Sequence, residues 1–193
     1  NSTGYELIFK AFAEPSMLEL CTPVIYGSPK VAAYHRKALD IETSFSIVSK
    51  ADEIRDDRLN LLTTFDDEIK VELGQTTPES GLAGLKALDR AMTDYRQNAY
   101  DVLVTLPLNG AALTTTDFQF PGQTGYIEAS LDEEGKAVQL FVNDQLRLAL
   151  ATSRLSVKDV TGCITKELIM NRTTTLWQSL RRDFRLSNPR IAV

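Results

Sequence analysis

Short apolar runs alternate along this chain with longer stretches in which apolar residues recur every three or four positions. Short runs bounded by Gly, Pro, Ser or Asn predict strands, and the longer spacing predicts helices. Strands are predicted at residues 22–27, 44–49, 59–65, 66–73, 102–108, 137–143, 146–152 and 190–193. Helices are predicted at residues 5–18, 30–39, 80–98, 127–131 and 157–184. Because strands and helices alternate, the sequence predicts an α/β fold with a largely parallel sheet and flanking helices.

Several helix boundaries carry their own signals. Pro29 fits the first turn of the helix at 30–39. A capping Thr77 followed by Pro78 predicts the start of the helix at 80–98, whose apolar stripe is predicted to pack in the core. Gly162 and Thr165 weaken the long helix predicted at 157–184.

Residues 100–126 contain the most informative loop. The apolar run at 102–108 predicts a strand buried on both faces. Asn109-Gly110 then predicts a turn, and Pro121-Gly122 predicts a tight turn that carries Gln123 and Thr124. Loops that leave the carboxyl ends of strands bind ligands in open α/β sheets. This loop is therefore the first candidate for function.

Composition excludes two classes of partner. The 193 residues are 43% hydrophobic and 24% charged, with a net charge of −5 and a pI of about 5.0. An acidic chain disfavours general nucleic-acid binding, which needs a basic face. Every apolar run is far shorter than the roughly 20 residues that span a bilayer. The first residues lack the layout of a signal peptide, so a cytoplasmic protein without membrane or nucleic-acid partners is predicted.

The cysteines and the single histidine offer little chemistry. Cys21 and Cys163 are far apart and form no C-x-x-C motif, which predicts two buried, reduced thiols. His35 lies on the predicted helix at 30–39, where a lone histidine predicts a packing or surface residue, because a metal site needs several ligands. The acidic runs 66–68 and 132–134 predict a solvated surface rather than a metal site. The sequence contains no G-x-G-x-x-G or G-x-x-x-x-G-K-[ST] motif.

Five segments, in order, resemble the bacterial 4-hydroxythreonine-4-phosphate dehydrogenases of pyridoxal phosphate biosynthesis, the PdxA family. They read GYELIFKAFAEPSMLELCTPVIYGSPKVAAYHRKAL, VTLPLN, FQFPGQTGY, LRLALATSRLSVKDV and LSNPRIAV. The resemblance implies the two-lobe fold of isocitrate and isopropylmalate dehydrogenases. It assigns residues 1–108 to the first lobe and 109–193 to the second, which could also pack as one compact domain. Family members extend beyond this chain at both ends, so an internal fragment is expected.

The resemblance also implies a chemistry and a partner. Family members oxidise a phosphorylated hydroxy amino acid with NAD(P) and then decarboxylate it. They use a divalent metal held by histidines, in a site between two subunits of a homodimer. Such a metal polarises the developing carbonyl and stabilises the enolate that follows. By this resemblance, the chain is expected to be a monomer or a homodimer.

Carried over by resemblance, the family's site positions are altered here. Gln123 replaces the histidine of the family's P-G-H-T-E turn, Thr124 is retained, and Gly125 replaces the acidic residue. Gln123 and Thr124 are therefore the substrate-binding positions that the resemblance implies. Arg154 occupies a metal-ligand position, where a permanent cation does not bind a metal ion. Gly110 replaces the lysine of the family's P-x-N-K segment.

Three hypotheses follow. The favoured one is a catalytically inactive fragment, engineered or truncated, that serves as a folded scaffold without a cofactor. The alternative is an active dehydrogenase that uses NAD(P) and a divalent metal on 4-phosphohydroxy-threonine. The third is a phosphate or small-molecule binder that uses residues 1–4 and 122–124, because backbone amides at a helix start hold anions.

Overall fold

The computed structural model describes residues 2–65, 69–114, 119–120, 122–131, 137–153 and 155–193. The chain divides into two compact units, residues 1–123 and residues 124–193. No helix in the described ranges is both long and apolar enough to cross a membrane.

A parallel sheet of three strands forms the centre of the first unit. The strands are β1 (Val24–Gly27), β2 (Ser46–Val48) and β3 (Asn60–Thr63), and their order is β1-β3-β2. Ile25 and Ile47 both lie opposite Leu61, which is fully buried in the central strand. Central strands of parallel sheets are covered on both faces, and this explains why Leu59, Leu61 and Leu62 are all buried. The predicted α/β fold with a parallel sheet is confirmed.

Five helices accompany this sheet among the described residues. They are α1 (Gly4–Ala11), α2 (Ser16–Leu20), α3 (Pro29–Ala38), α4 (Pro78–Arg96) and α5 (Gly110–Thr114). Helix α3 begins at Pro29, as predicted. The Thr77 hydroxyl accepts a hydrogen bond from the Ser80 N–H at 3.3 Å, so the predicted cap of α4 is confirmed.

The core of the first unit joins α1 and α3 to the sheet. Buried Phe9 and Ala32 pack with Ile25 and Leu61. Burying a side chain of the size of Phe9 stabilises the fold by about 1.5–3 kcal/mol. His35 of α3 is also buried, with its ring stacked on Tyr5 at 5.3 Å between centroids. The prediction of a packing or surface role for this histidine is confirmed as packing.

The second unit contains a hairpin and three helical segments among its described residues. It includes most of α6 (Gln123–Ser130), then β4 (Leu140–Val142), β5 (Arg147–Ala149), α7 (Val157–Cys163) and α8 (Lys166–Arg182). Strands β4 and β5 pair antiparallel, with Phe141 opposite Leu148, so the predicted hairpin is confirmed.

The strand predicted at residues 102–108 is wrong. This segment pairs with no strand among the described residues, and Val102 and Val104 are each 75% exposed. The predicted strands at 66–73 and 190–193 also fail: residues 69–73 and 190–193 form no ladder, and 66–68 lie outside the described residues. A strand needs a partner for its backbone groups, and an apolar run by itself does not supply one.

Two predicted helices are each divided. Pro15 separates α1 from α2, because proline lacks the N–H that a continuing helix would use. Thr165 separates α7 from α8: its backbone is extended, and its hydroxyl accepts from the Leu168 N–H at 3.1 Å. A threonine that caps one helix ends the preceding one, which the apolar pattern did not show.

The predicted burial of the cysteines is wrong. Cys21 and Cys163 are both exposed, although both are free thiols as predicted. Cys21 follows the end of α2 and Cys163 is the last residue of α7, two helices without a buried residue. Burial depends on the packing of the whole helix, which a lone cysteine does not reveal.

Candidate functional site

The carboxyl end of β1 is closed by a phenol from α1. The Tyr5 hydroxyl accepts a hydrogen bond from the Ser28 N–H at 3.4 Å. Gly27 makes this approach possible, because a Cβ at that residue would lie 2.4 Å from the Tyr5 hydroxyl oxygen. Burial raises the pKa of Tyr5, so its hydroxyl stays protonated at neutral pH.

The same end of the sheet is tied to β3. The Thr64 N–H donates to the Gly27 carbonyl at 2.9 Å, and the Thr64 hydroxyl donates to the same oxygen at 3.3 Å. These bonds fix the turn between β1 and α3. A rigid edge of this kind can position a neighbouring loop.

The loop around Asn109 is held against the start of α4. The Asn109 amide donates to the Thr76 hydroxyl at 2.8 Å, and its side-chain oxygen accepts from the Ala111 N–H at 3.0 Å. Gly81 lets the loop approach closely, since a Cβ there would lie 2.2 Å from the Ala112 carbonyl oxygen. The predicted turn at Asn109-Gly110 is therefore the start of α5.

Gln123 is the first residue of α6, and its side chain contacts the loop directly. Its amide nitrogen donates to the Leu106 carbonyl at 3.1 Å, and the residue is half-buried. Gly122, just before it, has φ +95°, and its N–H donates to the Phe120 carbonyl at 2.7 Å. Pro121, the other residue of the predicted tight turn, lies outside the described residues. An amide does not titrate, so Gln123 does not act as a general acid or base.

The other predicted site residues are not brought to the same place by any described contact. Thr124 is exposed on the first turn of α6. Arg154 lies outside the described residues. The structure therefore joins Gln123 to Leu106 and leaves the predicted substrate-binding role of Gln123 and Thr124 as a prediction.

A divalent metal does not fit the described residues. No group of three or more His, Cys, Asp or Glu among them could hold an ion. His35 packs between Tyr5 and Tyr34, and burial lowers the pKa of its imidazole. We therefore derive no catalytic step through a metal.

The sequence interpretation missed a buried polar cluster between β1 and α4. Asp94, only 4% exposed, accepts hydrogen bonds from the Tyr26 hydroxyl at 3.0 Å and the Arg90 Nε at 2.9 Å. Burial and then the negative charge of Asp94 raise the pKa of Tyr26. The spacing of Arg90 and Asp94, four residues apart on one helix face, was the available signal.

A second phenol lies beside this cluster. The Tyr100 hydroxyl donates to the Ala91 carbonyl at 2.8 Å, and its ring meets the Tyr26 ring edge-on at 6.1 Å. Tyr100 thereby anchors the chain that leaves α4 and leads into residues 102–108.

Comparison with known sequences gives consistent matches. The sequence model described as pyridoxal phosphate biosynthetic protein PdxA matches residues 19–193. A 4-hydroxythreonine-4-phosphate dehydrogenase of Bacteroides thetaiotaomicron is 47% identical over 193 residues, which is 100% of this chain and 53% of that relative. A protein of the same name from a Sulfurihydrogenibium species is 26% identical over 170 residues, 88% of this chain and 52% of that relative. The chain thus spans about half the length of these curated relatives.

Solved structures show the same fold. A 4-hydroxythreonine-4-phosphate dehydrogenase from Burkholderia phymatum superposes with a TM-score of 0.79 at 21% identity, covering 98% of this chain and 57% of that one. A putative enzyme of the same name from Salmonella typhimurium gives a TM-score of 0.82 at 15% identity, covering 93% of this chain and 56% of that one. These likenesses concern the fold and confirm the two-lobe family architecture predicted for the chain.

Proposed function

Because this chain belongs to the PdxA family of pyridoxal phosphate biosynthetic proteins, we propose that it is a family scaffold that keeps a substrate-contacting turn but does not itself catalyse dehydrogenation. The turn is formed by Gln123 and Thr124, and in this proposal the turn binds a phosphorylated hydroxy amino acid. We assign residues 1–108 and 109–193 to the two lobes of the family and place the protein in the cytoplasm.

The contact between Gln123 and the Leu106 carbonyl carries this proposal. It holds Gln123 in a defined position, so less ordering is needed when a ligand binds at this turn. The same hydrogen bond engages the Gln123 side chain, which stands where the family resemblance implies a histidine. Binding is therefore supported by the described residues, and proton transfer by Gln123 is not.

The residues at the metal position that the resemblance implies also support a scaffold without catalytic activity. Arg154 stands at a position where the family resemblance implies a histidine ligand, and its guanidinium stays protonated in proteins. The chain's one histidine is buried against Tyr5. NAD(P) and a divalent metal accordingly have no assigned ligands in the proposed function.

The alternative is an active dehydrogenase. The observation that favours it is the 47% identity over the whole chain with a protein named for that activity. In that case NAD(P), a divalent metal and a second subunit would be needed, and 4-phosphohydroxy-threonine would be the substrate. Sedimentation of the chain would show whether it is a monomer or a homodimer.

Calorimetric titration separates the two candidates. The purified chain is titrated with 4-phosphohydroxy-threonine alone, with NAD, and with both in the presence of magnesium or zinc. The proposal expects saturable heat with the phosphorylated compound and no reduced cofactor by absorbance. The variant Thr124→Ala should weaken binding, whereas Thr93→Ala, on an exposed position of α4, should leave it unchanged.

Reduced cofactor formed by the chain would instead establish the dehydrogenase. Absence of heat in every titration would remove the binding turn from the proposal and leave a folded scaffold.

A further inference from the structure

Helix α4 has two glycines on the face that meets residues 108–112, and their contacts differ in kind. A Cβ at Gly81 would lie 2.2 Å from the carbonyl oxygen of Ala112 and 2.7 Å from its carbonyl carbon. A Cβ at Gly84 would meet only the Leu108 side chain, with the Cδ1 atom at 2.6 Å. A leucine methyl can move by a change of rotamer, whereas a backbone carbonyl moves only with its segment. Gly81 therefore sets how close the main chain of α5 comes to α4.

Two further contacts seat residues 106–112 in the first unit. The Asn109 amide donates to the hydroxyl of Thr76, just before α4, at 2.8 Å. At the other end of the segment, a Cβ at Gly4 of α1 would lie 3.5 Å from the Leu106 Cβ. The segment is thus held between α1 and the first turns of α4.

The chain between Leu106 and Ala112 is stiff, so a displacement at one end reaches the other. Pro107 has a fixed φ angle. The Asn109 side-chain oxygen accepts from the Ala111 N–H at 3.0 Å, and the Asn109 carbonyl accepts from the Ala112 N–H at 3.0 Å. These bonds leave the segment few ways to absorb a shift of Ala112 locally.

We propose that Gly81 is a positioning residue for the binding turn. By admitting the Ala112 carbonyl, it sets the depth at which residues 106–112 lie on α4. It thereby holds the Leu106 carbonyl 3.1 Å from the Gln123 amide nitrogen. The effect of Gly81 on affinity rests on the proposed function, because a preset Gln123 needs less ordering when a phosphorylated hydroxy amino acid binds.

Nuclear magnetic resonance of the Gln123 side-chain amide tests this placement without a ligand. Its resonances are assigned by their loss in Gln123→Ala, and the exposed Gln97 at the end of α4 is the reference for a solvated amide. In Gly81→Ala, the Gln123 resonances should move toward those of Gln97. Exchange of the bonded proton with water should become about two- to tenfold faster, the effect of losing one hydrogen bond.

Gly84→Ala is the matched control, because it adds the same methyl to the same helix with the same gain in helix propensity. It should leave the Gln123 resonances in place, since only the Leu108 side chain has to move. The backbone amide of Leu61, in the central strand, should stay unchanged in both variants and reports that the sheet is folded.

A second variant decides the question if Gly81→Ala does not fold. Thr76→Val keeps the shape of the side chain but removes the hydroxyl that accepts from Asn109. It loosens the seat on α4 without a clash, so it should move the Gln123 resonances in the same direction.

Calorimetric titration with 4-phosphohydroxy-threonine then measures the effect on binding. Gly81→Ala should weaken binding about two- to tenfold, the cost of ordering one released side chain, and Gly84→Ala should leave it unchanged. Absence of heat with the wild type would refute the proposed function, while the resonances still decide the placement of Gln123.

Two outcomes would overturn the role of Gly81. One is a folded Gly81→Ala in which the Gln123 resonances stay where they are in the wild type. The other is an equal movement of these resonances in Gly84→Ala.

Discussion

Close contacts between residues far apart in the sequence decide the structure at individual residues. Gly27 and Gly81 admit the Tyr5 hydroxyl and the Ala112 carbonyl at distances that exclude a Cβ. Gly27 ends β1 and Gly81 lies in α4, and the sequence pattern does not say which atom approaches either of them. The burial of Asp94 likewise follows from Tyr26 lying across from it, a contact between residues 68 positions apart.

Gly27→Ala should destabilise the protein by about 1–3 kcal/mol, because overpacking forces the phenol to move. Gly110→Ala is the matched control, since its Cβ would meet no atom within 4 Å. Urea unfolding measures both. Adding Tyr5→Phe should recover part of the loss in Gly27→Ala by removing the clashing oxygen. Equal costs for the two glycine variants would refute the steric role of Gly27.

Asp94→Ala should cost about 1–3 kcal/mol, since it leaves the half-buried Tyr26 phenol without its acceptor and the Arg90 guanidinium without its partner. Asp101→Ala, on an exposed residue, is the control. Thermal unfolding at neutral pH compares them. Tyr26→Phe should cost less than Asp94→Ala, because it removes one of the two bonds; the reverse order would argue against the cluster.

At the scale of elements, the sequence predicted correctly those helices and strands whose start signals or pairing partners lie close by in the chain. Helices α3 and α4 carry their own start signals at Pro29 and Thr77, and the hairpin β4–β5 brings its own partner. The strand prediction at residues 102–108 was wrong because a strand needs a second segment to pair with. The apolar pattern of one segment does not show whether that partner is present. The helix at 157–184 failed because Thr165 caps α8 rather than continuing α7.

Thr165→Ala should destabilise the chain by about 1 kcal/mol through loss of the cap on the Leu168 N–H. Thr174→Ala, on an exposed position within α8, should be neutral or slightly stabilising, because alanine has the higher helix propensity. Helical circular dichroism followed in urea measures both. A loss in Thr174→Ala as large as in Thr165→Ala would show that the cap has no special role.

The packing of α1 on α3 should respond to acid through His35. Burial lowers the pKa of its imidazole below 6.5, so folding favours the neutral form. The stabilisation that comes from keeping His35 neutral is complete above pH about 6.5, the pKa in the unfolded chain. It is lost as the pH falls through the lower pKa of His35 in the folded chain. The variant His35→Phe keeps a ring against Tyr5. Between pH about 7 and 5, its free energy of unfolding should fall less than that of the wild type. Parallel pH profiles would contradict this linkage.

At the scale of the whole molecule, the fold was predictable and the site only in part. The strand and helix alternation and the family resemblance led to the same α/β architecture, which the solved structures confirm. The site depends on which loops meet, and only the contact of Gln123 with Leu106 is described. The substrate roles of Gln123 and Thr124 and the ligand position of Arg154 remain predictions, because they concern a molecule and an ion that bind between several segments.

The whole chain should fold cooperatively without a metal ion. Its melting temperature should be the same with a chelator as with excess magnesium or zinc, because His35 is packed and the described residues contain no ligand group. A ligand at about 100 times its Kd raises stability by about 2.7 kcal/mol, a shift that calorimetry resolves easily. The control is the double variant Gln123→His and Arg154→His, which supplies two imidazoles at the positions taken from the family. An upward shift of the melting temperature in the double variant alone would show that Gln123 and Arg154, as they stand in this chain, prevent metal binding. A saturable upward shift in the wild type would place an ion outside the described residues and favour the active dehydrogenase over the scaffold.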